Sequence, residues 1–126
     1  MTKLVLISHG RFSEELKRSV EMIMGPQKDI TTVGLVPDEG PDDFKAKLEQ
    51  ALGSENNAVV FADLLGGTPC NVAAGLLMAH THEFKLYAGM NMPMIVGFLN
   101  AEMTNGELNP TSDGQQGVVD VNAMNG

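Results

Sequence analysis

The sequence predicts an α/β fold: a three-layer sandwich whose central, doubly wound sheet of four parallel strands is flanked by helices. Three observations carry this expectation. Strand-like and helix-like segments alternate four times along the chain. The strand segments are continuous apolar runs rather than alternating ones, so both faces of each are covered. A chain of 126 residues is the common size of one domain and can bury roughly two thirds of its unfolded surface without a disulfide or metal. One domain is expected over 1–126, with a core at 3–103 and a turn-rich tail at 104–126.

The elements read in order as follows. "KLVLIS" (3–8) is a short strand rich in β-formers. "FSEELKRSVEMIM" is a helix with Phe12, Leu16, Val20, Ile23 and Met24 on one face, acids in its first turn and Gly25-Pro26 as its stop. "ITTVGLV" (30–36) is the second strand. After the turn "PDEGPDD" comes a helix aligned on Phe44, Leu48, Ala51 and Leu52, ended by Gly53. "AVVFA" (58–62) is the third strand, "DLLGGTP" a loop and "CNVAAGLLMAH" the third helix. "EFKLYAG" (83–89) is the fourth strand. Asn91 caps the fourth helix, and Pro93 falls in its first turn, where a missing N–H costs nothing. In the tail only "GVVDV" (117–121) resembles a strand. The rest is too poor in apolar residues to pack as a helix.

Composition narrows the function. Sixteen acids against eight bases give a net charge of −8, which argues against nucleic acid or an anionic membrane as partner. There is no tryptophan for a base-stacking platform. The nine methionines read as adaptable core filler. A single cysteine, Cys70, makes no internal bridge and suits a reducing, cytoplasmic setting. No signal peptide or bilayer-spanning run is expected.

Right-handed crossovers place the C-terminal ends of parallel strands on one edge, where α/β sheets bind ligands near the reversal of strand order. Four groups of residues leave the strands there: Ser8, His9, Gly10 and Arg11; Pro37, Asp38 and Glu39; Asp63; and Gly89, Met90 and Asn91. A histidine and an aspartate thus meet on one edge. "GGTP" before an apolar helical run supplies Thr68 as N-cap and Pro69 at the first helical position, with Gly66 and Gly67 freeing backbone N–H groups. Such a helix start holds anions, although no Walker lysine is present. The combination suits phosphoryl transfer. An unprotonated ring nitrogen takes the phosphoryl group, and an aspartate on the other nitrogen fixes the tautomer. Oriented N–H groups and a hydroxyl then stabilise the phosphoryl oxygens.

Other residues admit two readings each. Arg11 meets the phosphoryl group, a partner's carboxylate or only solvent. Ser8 donates to the phosphoryl group or merely ends the strand. Cys70, near a helix N-terminus, is an activated thiol or a small packed residue. "HTH" (80–82) has no evident third metal ligand. Neither a metal nor a cofactor is expected. A phosphate- or nucleotide-binding module without chemistry, and a phosphatase using Cys70, are the alternatives from other classes.

"ISHGRFSEEL", "FADLLGGTPCNVA" and "AGMNMPMI" together resemble the IIA component of the bacterial sugar phosphotransferase system, mannose–fructose–sorbose family, from about residue 3 to 103. The phosphotransfer subunit of dihydroxyacetone kinase resembles the same fold, but its motif reads "HS" where this chain has "HG". The first resemblance implies that His9 is phosphorylated on its tele nitrogen, Nε2, and that Asp63 orients it. It implies that Gly10, Gly66, Gly67 and Thr68 surround the phosphoryl group and that Asn91 lines the same edge. It also implies a phosphohistidine carrier, charged by phospho-HPr and discharged to a IIB component, with membrane IIC and IID components as indirect partners. Such a carrier is cytoplasmic, at most peripherally associated with the transporter. The family dimer exchanges an antiparallel C-terminal strand, for which "GVVDV" is the candidate here.

Overall fold

Residues 2–124 are described by a computed structural model. The chain runs β1 (Leu4–His9), α1 (Phe12–Met24), β2 (Ile30–Leu35), α2 (Pro41–Leu52), β3 (Ala58–Ala62), α3 (Thr68–Met78), β4 (Phe84–Ala88), α4 (Met92–Thr104), α5 (Pro110–Gln116) and α6 (Val121–Met124). The four strands form one parallel sheet in the order β2-β1-β3-β4. Ile7 pairs with Val33 on one side and Ala62 on the other, so β1 and β3 are the central strands.

Alternate residues of each strand face opposite layers. Val5, Ile7, Val60 and Ala62 pack against Phe44, Leu48 and Leu52 of α2 and Ala73 and Leu76 of α3. Leu4, Leu6, Val59 and Phe61 pack against Leu16 and Val20 of α1 and Met94, Ile95 and Phe98 of α4. Phe61 anchors the second layer. Its ring meets Tyr87 and Phe98 edge-on, with both centroid distances 5.8 Å, the arrangement the ring quadrupoles favour. Among the described residues, no helix is long and apolar enough to cross a membrane.

Three expectations need correction. The buried face of α1 is Ser13, Leu16 and Val20, whereas Phe12 and Ile23 are exposed. At about 100° per residue, both lie some 50–70° off the centre of the arc that meets the sheet, just beyond Leu16. The methionines are also not uniformly filler: Met90 and Met94 are buried, but Met22, Met78 and Met103 are exposed.

The third correction concerns the tail. It does pack as a helix, and residues 117–121 form no strand. Pro110 starts α5 at a position that needs no N–H donor. The helix then approaches α4 where side chains are small. Asp113 lies over Gly97, and Gly117 lies against Pro93, so closely that a Cβ at either glycine would clash. Docked this way, α5 leaves Val118, Val119 and Val121 exposed rather than paired along β4.

Candidate active site

The order β2-β1-β3-β4 reverses direction between β1 and β3. After β1 the chain steps outward to β2, then returns across β1 to start β3. Connections on the two sides of this gap leave in opposite directions and open a crevice at the strands' C-terminal ends. His9 is the last residue of β1, and Asp63 directly follows β3. The Asp63 N–H donates to the Ile7 carbonyl at 3.1 Å, so the ladder reaches the site without a break.

Gly10 turns the chain away from the sheet with φ +55°, a left-handed conformation that glycine adopts without steric cost. Its N–H donates to the Leu35 carbonyl at 2.7 Å. Its own carbonyl packs over Gly34, where no Cβ would fit. His9 is thereby fixed from its backbone outward.

Asp63 completes the restraint. Its Oδ2 accepts from the His9 main-chain N–H at 2.9 Å and lies 2.7 Å from Nδ1. Its Oδ1 accepts from the Leu64 N–H at 2.9 Å. The aspartate side chain is 10% exposed and the histidine 48%. A carboxylate only accepts, so Nδ1 carries the hydrogen in this pair, and in the neutral imidazole the lone pair then falls on Nε2. Nε2 and Cε1 lie beside Gly67, at the start of α3.

The cap of α3 is Gly67, one residue earlier than expected; Thr68 is the first helical residue and Pro69 the second. The Thr68 hydroxyl therefore makes no cap bond. The N–H groups of Thr68 and Cys70 have no hydrogen-bond partner among the described residues. Unmatched donors of a helix's first turn are the groups that bind anions.

The remaining candidates have other attachments. The Ser8 hydroxyl is buried and accepts from the Ser13 N–H at 2.8 Å, closing the first turn of α1. Arg11 faces solvent and lies 3.4 Å from Glu14 and 3.3 Å from Glu15. Asn91 caps α4 by accepting from the Met94 N–H at 2.9 Å and donates to the Gly114 carbonyl at 3.1 Å. Cys70 is buried, which fits its reading as a packed residue. On the β2 side, Lys47 hydrogen-bonds Glu39 at 2.8 Å and holds its carboxyl below the usual range, with help from the Val36 N–H. His82 lies 3.4 Å from Glu49, away from the site in a cavity formed with residues 53–56. No three potential metal ligands converge among the described residues.

Sequence reading missed Asn71. Its main-chain N–H donates to the Gly67 carbonyl at 2.9 Å and its side-chain amide to the Gly66 carbonyl at 3.2 Å. An asparagine in the first turn of a helix is the signal that pointed to it.

A family model described as "PTS system fructose IIA component", EIIA-man, matches residues 3–110. The chain belongs to the EIIA-man family. The fructose-specific EIIA component of Bacillus subtilis is 31% identical over 103 residues, covering 79% of this chain and 70% of that protein. The mannose-specific EIIAB component of Escherichia coli is 29% identical over 101 residues, covering 78% of this chain but only 31% of that longer protein. Among solved structures, the mannose/sorbose specific IIA subunit from Enterococcus faecalis is 32% identical with a TM-score of 0.79, covering 94% of this chain and 93% of that one. EIIA from Streptococcus agalactiae shares the fold at a TM-score of 0.88 and 24% identity, covering 98% of this chain and 99% of that one. As an EIIA-man protein, the chain is a phosphoryl-transfer component of the sugar phosphotransferase system.

Proposed function

We propose that His9 is the phosphoryl acceptor, that phospho-HPr is its donor and that a IIB component is its acceptor. The observation that carries this reading is the Asp63–Nδ1 contact, which leaves the Nε2 lone pair free beside the start of α3. Nε2 attacks phosphorus in line. The bond from phosphorus to the donor's ring nitrogen breaks, and that nitrogen keeps the electron pair. The Thr68 and Cys70 N–H groups and the Thr68 hydroxyl receive the phosphoryl oxygens, with Gly66 and Gly67 leaving room for them. Asp63 stabilises the positive charge that grows on the His9 ring. Transfer to IIB reverses these roles.

Exposed apolar residues support a protein rather than a small molecule as partner. Phe12 follows His9 closely in the chain, and Leu64 and Leu65 follow Asp63; all three are exposed. A docked carrier would cover them, and apolar patches beside a reactive group mark such surfaces. The carrier acts in the cytoplasm, where its donor and acceptor proteins meet.

Incubation with phosphoenolpyruvate, enzyme I and HPr should give one acid-labile, base-stable phosphate on the wild-type chain. His9→Ala should give none while keeping its fold. Full labelling of that variant would overturn the assignment and move suspicion to His80 or His82.

A further inference from the structure

Gly67 has φ −86° and ψ 168°, an extended conformation open to any L-residue. The backbone therefore does not require glycine there. Space does: a Cβ at this position would lie 2.6 Å from His9 Cε1 and 3.2 Å from Nε2, inside the ~3.5–4.0 Å at which carbon atoms normally touch. Gly66 is the opposite case. Its φ of +92° favours glycine, yet nothing lies within 4 Å of the Cβ it lacks.

We infer that Gly67 is a positioning residue whose bare Cα forms the floor under the His9 imidazole. The inference rests on the proposed role of His9 and adds what sets the direction of the Nε2 lone pair. Asp63 holds the ring at Nδ1, and Gly67 limits it at the Cε1–Nε2 edge. A half-turn of the ring would carry Nδ1 away from its carboxylate. A tilt towards the loop would drive Cε1 into the Gly67 backbone.

The floor is itself pinned. Asn71 holds two successive carbonyls, those of Gly66 and Gly67, through its side chain and its main chain. Removing that side-chain amide would loosen the floor without adding an atom.

The test reads the ring directly. In the ¹⁵N-labelled full-length chain, without any carrier, long-range nitrogen–proton correlation should show wild-type His9 as one tautomer, with its hydrogen on Nδ1. Gly67→Ala must displace the ring by about 1 Å to restore normal contact. It should show both tautomers and lose the bonded Nδ1 hydrogen signal, while far-ultraviolet circular dichroism stays that of the wild type. Phosphoryl uptake from HPr should fall on the order of 10²-fold, as misplacement of about 1 Å can cost that much. If Gly67→Ala does not fold, Asn71→Ala decides: it should broaden the Nδ1 hydrogen signal and slow uptake about tenfold. A wild-type tautomer spectrum in folded Gly67→Ala, or in Asn71→Ala where the first variant is unfolded, overturns the inference. A wild-type chain that takes no phosphate, beside a Gly67→Ala chain with altered tautomers, would instead overturn the role of His9 and leave the floor standing.

Discussion

Three donors converge on the two oxygens of Asp63: the His9 main-chain N–H, His9 Nδ1 and the Leu64 N–H. Asparagine at 63 has one oxygen. Whichever way its amide turns, at least one of those N–H groups faces amide hydrogens. If the amide nitrogen faces the imidazole, Nδ1 becomes the acceptor and the hydrogen moves to Nε2. Asp63→Asn should therefore slow uptake from phospho-HPr by about 10²-fold. This lies at the low end of the 10²–10⁴-fold typical of acid–base help, because no proton has to leave the nucleophile. Phosphorus–proton NMR should place the phosphate on Nε2 in the wild type. A wild-type rate in the variant, or phosphate on Nδ1, would remove Asp63 from the mechanism. His9 and Asp63 were legible in the sequence because each follows a buried apolar run, and parallel topology sends such exits to one edge. The part played by Gly67 was not legible. A glycine pair reads as a turn, and only the position of another residue's ring shows why a Cβ is excluded. Nor does sequence reveal which polar side chains are already engaged, as Ser8 is by Ser13.

The helices divide by what holds them. An apolar stripe was visible in α2, and Phe44, Leu48 and Leu52 are buried as it implied. No stripe is visible in "PTSDGQQ", because α5 docks with side chains seated on bare glycines, Asp113 on Gly97 and Pro93 on Gly117, rather than through an apolar face. Periodicity does not register that kind of contact. Asn91 joins α5 to the N-terminus of α4 by serving both with one amide. Its two atoms can be tested separately. Asn91→Ala removes the cap, about 1 kcal/mol, and the bond to the tail, roughly 0.5–1.5 kcal/mol. Its denaturation midpoint should fall accordingly. Asn91→Asp keeps an oxygen for the Met94 N–H but sets a carboxylate against the Gly114 carbonyl. It should keep most of the stability while the amides of α5 exchange with solvent faster. Wild-type protection of α5 in Asn91→Asp would show that the tail does not depend on this bond.

At the scale of the whole molecule, β4 pairs with β3 along one edge and has no ladder on the other among the described residues. Val118 lines a cavity with Leu86, Tyr87 and Ala88 of β4, and Val118, Val119, Val121 and Met124 of the tail are exposed. Unpaired strand edges and clustered apolar residues are surfaces that proteins cover, so the chain should be a homodimer with the tail at its interface. Sedimentation at micromolar concentration should give twice the chain mass, and deletion of residues 113–126 should reduce it to the monomer. A wild-type monomer, or an unchanged dimer after the deletion, would contradict this.

The partners in the His9–Asp63 contact stand 54 positions apart in the chain, with α1, β2, α2 and β3 between them. A growing chain that has completed β1, α1, β2 and α2 can already pair its first two strands, yet it lacks the carboxylate that sets the imidazole. Loops of that length close late compared with local helices. On the proposed roles of His9 and Asp63, full competence for phosphoryl transfer thus arrives when the third strand inserts beside the first. Unfinished or half-unfolded copies in the cell would draw little phosphate from the shared donor pool.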